Sequence, residues 1–246
     1  MTAFVAIGRR YLPRGWGDFL RQLVIWFGFV FAYQIARGIA DRNPAKAFEN
    51  GLGVIKLEQH AHALFELTLQ RITISSHLLT TLTSWTYWLS QFTVLGLALL
   101  FVYLRRHDSF TRFRNTILLA NLIGLIGYVA LPTAPPRMFP GHGFVDTIAS
   151  FGINHGSGLI QLASNQYAAM PSLHSADALI VGVTMAMVCR RWIFKVIWLL
   201  WPAWVWFSVM ATANHFWLDV VAGIGVAALA AAALVNWRRV LRAVHA

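Results

Sequence analysis

The sequence predicts an all-α fold: an integral membrane bundle of six transmembrane helices, with an extra amphipathic interfacial helix after the first span. Three observations carry this reading. Hydrophobic residues make up 58% of the chain and charged ones 12%, too few for the surface of a soluble domain of 246 residues. Several nearly charge-free runs approach the roughly 20 residues that cross a bilayer as helix. The basic residues fall in short clusters between those runs, as topology signals do. The formal charge of +11 is therefore spread over loops, where it suits anionic headgroups and argues against a nucleic-acid-binding face. Cys189 is the only cysteine, which rules out an intrachain disulfide, a cysteine-based metal site and a redox pair.

The whole chain reads as a single transmembrane domain. Its first span covers residues 20–40. Arg9, Arg10, Arg14 and Arg21 precede or open it, but the small-residue cleavage pattern near Ala36 and Ala40 is poor, so it reads as a retained helix rather than a signal peptide. Asp41-Arg42-Asn43-Pro44 breaks it. Residues 45–76 place apolar side chains at Val54, Leu57, Ala61, Leu64, Phe65 and Ile72, an amphipathic spacing. Lys46, Glu49, Lys56, Glu58, Glu66 and Arg71 make the segment too polar to cross, so it is expected in the interface plane or packed on the bundle. His60 and His62 read as part of a solvated polar face rather than as metal ligands.

The second span is expected over residues 85–104, opening on the belt aromatics Trp85, Tyr87 and Trp88, and the third over 116–131. Residues 132–171 form the longest connection, an outer loop with room for a short surface helix over 144–163. The fourth span covers 173–188, the fifth 192–211 with Pro202 as a tolerable kink, and the sixth 215–237. Basic clusters at the N-terminus, at Arg105, Arg106, Arg112 and Arg114, at Arg190, Arg191 and Lys195, and at Arg238, Arg239 and Arg242 all fall on one side of six spans. Both termini are then cytoplasmic, in what reads as a bacterial cytoplasmic membrane.

That orientation puts Arg137, His174 and His215, from three different loops, on the opposite, extracytoplasmic face. His215 and Asp219 stand four residues apart, on one helical face, so the carboxylate can fix the imidazole tautomer and leave the other nitrogen as nucleophile or base. His174 supplies a second imidazole to protonate a leaving group. Arg137 offers a planar fork for phosphate oxygens, and Ser172 opens a helix whose free N–H groups attract phosphate. This set suits phosphoryl transfer with no cofactor and no metal.

Residues 132–137, Met170-Pro171-Ser172-Leu173-His174, and His215 with Asp219 resemble the three signature motifs of the type 2 phosphatidic acid phosphatase superfamily. The likeness is closer to its inositolphosphorylceramide-synthase-like branch, in which Ser-Leu-His and His-(three residues)-Asp recur. It covers about residues 85–237, which then form the catalytic core. The resemblance implies that His215 forms a phosphohistidine, that Asp219 orients it, that His174 is the general acid, and that Arg137 and Ser172 hold phosphate. Two positions depart from the phosphatase pattern: Val209 follows Ser208 where an arginine is usual, and Ala130 stands in place of an upstream lysine. Less positive charge leaves room for a phosphodiester or diphosphate substrate. Asp177, a turn after His174, reads as a helper or a structural hydrogen-bonding group, and Tyr167, Gln166 and Asn214 as substrate-side or supporting residues.

The expected function is a metal-independent lipid phosphatase acting on a phosphate-bearing membrane lipid at the extracytoplasmic face. A headgroup phosphotransferase, passing inositol phosphate or a similar group to an alcohol, is the alternative. A proton-coupled transporter using the same acids and histidines would need polar residues through the bundle, and residues 181–188 and 227–235 are nearly all apolar. A vanadate-dependent oxidase on this scaffold would be soluble or peripheral, unlike this chain.

Overall fold

The computed structural model describes residues 12–40, 43–148 and 166–244. Helix α1 spans Gly15–Ala40 and starts earlier than its apolar run, because Asp18 in its first turn accepts from Gln22 and from the Tyr103 hydroxyl, each at 3.0 Å. Its apolar stretch has no buried residue. Phe19, Trp26 and Tyr33, seven residues apart, give it a half-buried seam against the bundle.

The next segment departs from the expected single helix. α2 (Pro44–His60) is capped by the Asn43 side chain and opens on proline. The chain turns at 61–65, with His62 at a φ of 52°, before α3 (Glu66–Ile74). The polarity of the pair departs from the expected pattern in part. Leu57, Phe65 and Ile72 are 59%, 42% and 51% exposed, whereas Glu58, Glu66, Gln70 and Thr73 are buried. His60 and His62 lie on an exposed face as expected, whereas both glutamates turn inward. The reason is partnership: Gln70 brackets the Val145 backbone, donating to its carbonyl at 2.7 Å and accepting from its N–H at 3.1 Å.

Helix α4 (His77–Leu89), a π-helical turn (Ser90–Val94) and α5 (Leu95–Arg105) form one rod of 29 residues. It starts eight residues before the expected belt because Ser76 caps it, and Thr80, Thr81, Thr83 and Thr86 return their hydroxyls to carbonyls one turn back. Helix α6 (His107–Ala130) likewise runs through Arg112 and Arg114. α7 (Leu173–Val188) and α8 (Trp192–Ala211) have the expected limits, and α9 (Trp217–Val244) continues past residue 237. Of the expected surface helix, residues 144–148 are not helical and 149–163 lie outside the described residues.

Among the described residues, five helical rods are long and apolar enough to cross a membrane: α1, α4–α5, α6, α8 and α9. α7 is apolar but has only 16 residues, roughly 24 Å of helix. It is the centre of the bundle, packed against α5, α6, α8 and α9. Gly182 admits α8, since a Cβ there would come within 2.8 Å of Pro202 Cγ. A second apolar cluster of Ala47, Ile55, Ala134, Phe139, Phe144, Ala213 and Phe216 fastens α2 to the loop before α7 and to the turn before α9.

Candidate active site

The starts of α7 and α9 are stitched together. Ser172 caps α7, its hydroxyl accepting the Ser175 N–H at 3.2 Å, while its own N–H donates to the Asp219 carbonyl at 2.9 Å. Ser175 donates its hydroxyl to the Val220 carbonyl at 3.0 Å. Gly223 permits this closeness, because a Cβ there would overlap the Ser172 carbonyl oxygen. The result is that the rings of His174 and His215 lie 5.6 Å apart, inclined at 59°, and His174 stacks on Tyr87 at 4.5 Å.

His215 Nδ1 lies 2.9 Å from the Ala169 carbonyl oxygen and 3.3 Å from Asp219 Oδ2. Two acceptors on one side put the proton on Nδ1 and leave Nε2 bare. The carboxylate does not hold the tautomer alone: the backbone carbonyl is nearer, and Asp219 Oδ2 also takes the Phe216 N–H at 2.9 Å. Arg137, on the turn Pro136–Met138, donates its backbone N–H to the Ala213 carbonyl at 2.8 Å and its guanidinium to Asn214 Oδ1 at 2.7 Å. Ala213 holds a left-handed φ of 55°, a conformation that non-glycine residues adopt at some strain. It turns the chain so that Arg137, Asn214 and His215 meet.

A cavity of about 470 Å³ collects Arg137, Gln166, His174, Asp177, Asn214 and His215 in its wall. The wall also carries Trp26, Phe27 and Val30 of α1 and Trp88, Phe92 and Leu95 of the α4–α5 rod. Asp219 lies behind His215, fully buried. Ser172 and Tyr167 are not part of the wall: Ser172 is fully buried with its hydroxyl on Ser175, and Tyr167 packs edge-on against Phe48 at 6.2 Å.

The model of a family described as the PAP2 superfamily matches residues 52–233, about three quarters of the chain. The protein belongs to the PAP2 superfamily. It is 28% identical over 156 residues to the phosphoinositol dihydroceramide synthase of Bacteroides thetaiotaomicron, covering 58% of this chain and 50% of that protein. It is also 28% identical over 117 residues to the inositol phosphorylceramide synthase of Candida albicans, covering 42% of this chain and 24% of that protein. The chain thus spans half or less of the length of these relatives. No solved structure matches it. These relatives support the inositolphosphorylceramide-synthase-like branch of the PAP2 superfamily.

The family pattern's absent arginine has a structural counterpart. Val209 is fully buried among Ala178, Val205 and Val220, and its carbonyl takes the N–H groups of Asn214 and His215. Position 209 thus serves the turn, and Arg137 is the only Lys or Arg among the described residues of the cavity wall.

Sequence reasoning missed two acids in this PAP2 protein. The Trp217 N–H donates to Glu66 Oε1 at 2.6 Å and the Leu218 N–H to Glu58 Oε1 at 3.4 Å, so α3 and α2 cap the helix that carries Asp219. Burial, with Asp219 adding to it, pushes both carboxyls above the usual carboxylate range; the proximity of Glu66 adds further to Glu58, which is pushed up to about 9, whereas the contact with Glu58 partly offsets the rise at Glu66. A raised acid binds its proton more tightly folded than unfolded. Stability is therefore expected to fall as pH climbs from the ordinary carboxylate range toward the raised values. Thermal unfolding in detergent at pH 5 and pH 8 tests this: Glu58→Gln should lose less stability than the parent across that interval. Glu66→Ala should cost about 1–2 kcal/mol at pH 5, the usual cost of removing a cap, and less at pH 8.

Proposed function

We propose that this protein transfers a phosphate-bearing headgroup from one membrane lipid to an alcohol, through a phosphohistidine on His215. The observation that carries the reading is the bare Nε2 of His215, beside His174 and Arg137, in a cavity walled by apolar side chains of two helices long enough to cross the membrane. Nε2 attacks phosphorus, and the bond from phosphorus to the departing oxygen breaks as His174 gives that oxygen a proton. The positive charge gained by the His215 ring is met by Asp219 and the Ala169 carbonyl on Nδ1. Neutral His174 then takes the proton of the incoming alcohol, whose oxygen attacks phosphorus and releases Nε2. Each proton taken up in one half is returned in the other. Arg137 holds the phosphoryl oxygens.

One fixed cation among the described residues of the wall suits the single negative charge of a phosphodiester better than a dianionic monoester, which favours transfer over simple phosphatase action. The names of the relatives point the same way, to inositol phosphate as the group moved and a ceramide-type lipid as acceptor. In this reading α7 is the sixth crossing, residues 85–237 form the catalytic core, and the α2–α3 pair lies at the interface. The site opens to the extracytoplasmic face of the membrane, with both termini cytoplasmic. The apolar second half of α7 offers no path for a proton relay, which supports an enzyme over a transporter.

Purified protein in liposomes with headgroup-labelled phosphatidylinositol, with and without ceramide, tests this. Label on the ceramide, made at its expense and without added metal, is expected. Free inositol phosphate or phosphate released at one rate whatever the acceptor would establish a hydrolase instead.

A further inference from the structure

We propose that Asp177 and Asn121 form a subsite that reads a hydrogen-bond donor, an amide N–H or second hydroxyl, on the lipid alcohol reacting beside His174. This rests on the transfer reading above. Asp177 is 3% exposed, yet both it and Asn121 belong to the wall of the same cavity as the two histidines. The Asn121 amide nitrogen donates to the Ile117 carbonyl at 3.0 Å and reaches both Asp177 oxygens, at 3.1 and 3.4 Å. Its hydrogens are thereby committed. Asp177 has no ion pair among the described residues, and Arg137 is engaged by Asn214 at 2.7 Å and approached by Asp146 at 3.8 Å. A carboxylate oxygen pair can accept about four hydrogen bonds, and one shared amide leaves most of that capacity unused. Among the described residues no second donor reaches these oxygens, and because they face the cavity their remaining lone pairs are open to a ligand.

The position selects which part of a ligand can do so. Asp177 follows His174 by three residues on α7, so their side chains are neighbours on one face, about 5–6 Å apart at Cβ. An atom two or three bonds from the oxygen that exchanges its proton with His174 would lie against Asp177. With the Asn121 amide directed at it, the acid presents acceptors. A lipid alcohol bearing an amide N–H or a second hydroxyl at that remove satisfies them. A diacylglycerol, with only ester oxygens there, opposes acceptor to acceptor. The π-helical turn adds Gln91 to the same wall, and α1 adds Gln34, so the polar surface extends past the immediate surroundings of Asp177 and Asn121.

The experiment uses the full chain in liposomes with a labelled phosphodiester lipid donor and two acceptors of matched chains in competition. One is an N-acyl amino alcohol with a second hydroxyl, the other a 1,2-diacylglycerol. The readout is the ratio of kcat/KM for the two, which does not depend on the fraction of protein folded. The parent should prefer the N-acyl amino alcohol roughly 10- to 100-fold. Asp177→Ala should bring the ratio toward one, and Asn121→Ala should lower it. If Asp177→Ala does not fold, Asp177→Asn, which can donate, should shift the ratio toward the diester. A ratio unchanged in the variants, or near one in the parent, overturns the subsite and leaves the transferase reading standing. Water displacing both alcohols in the parent overturns the transferase reading, and the subsite with it.

Discussion

His215→Ala is expected to lower turnover by about 10⁴-fold or more, the scale of loss when a covalent nucleophile is removed. Among the described residues the fold offers no substitute within reach. The second imidazole, His174, lies 5.6 Å away between ring centres and stacks on Tyr87, so its plane is already assigned. A phosphorus-labelled lipid donor supplies the check. The parent protein, quenched during turnover, should carry label on a bond that acid breaks and alkali spares, as a phosphorus–nitrogen link to imidazole does. His215→Ala should carry none. Label retained in that variant would move the covalent step to another residue and remove Asp219 and Ala169 from the chemistry.

His174→Ala should cost about 10²- to 10⁴-fold with an alkyl alcohol as leaving group. The size of the defect should depend on the leaving group, which separates a proton donor from a residue that only packs. A nitrophenol departs as its anion and needs no proton, so with a nitrophenyl phosphodiester the first step should be nearly as fast as in the parent. The covalent species should then accumulate, because no base remains to activate the acceptor. A uniform loss with both substrates would mean that His174 shapes the cavity through its stacking on Tyr87 and takes no part in proton transfer.

What could be read before the coordinates divides along a physical line. His174 with Met170-Pro171-Ser172, and His215 with Asp219, were legible because an ionisable residue at the head of an apolar run is costly and local. The limits of α7 and α8 were legible for a similar reason, with Ser172 at one end and Arg190-Arg191 between them. Ser172 itself shows the ambiguity of short-range reading: the hydroxyl that suits a phosphate also suits a helix cap, and the cap is what the coordinates contain. Glu58 and Glu66 could not be recognised from their neighbours. Their partners, the N–H groups of Leu218 and Trp217, are 160 and 151 residues away, and a carboxylate is read as solvated until something distant claims it. Asn121 was hidden differently, since one amide barely moves the average of a 24-residue helix of mean apolar character. Its signal, a polar side chain well inside a span, is one that hydropathy averaging discards.

The cavity between α1 and the α4–α5 rod has a reach beyond chemistry. Because its wall is mostly apolar on that flank, and the long stretch of α1 beside it has no fully buried residue, a two-tailed reactant has little reason to leave the leaflet in order to react. The quantity that governs encounter is then how crowded the reactant is per unit of membrane area, and bulk molarity becomes a poor description of how much substrate the protein sees.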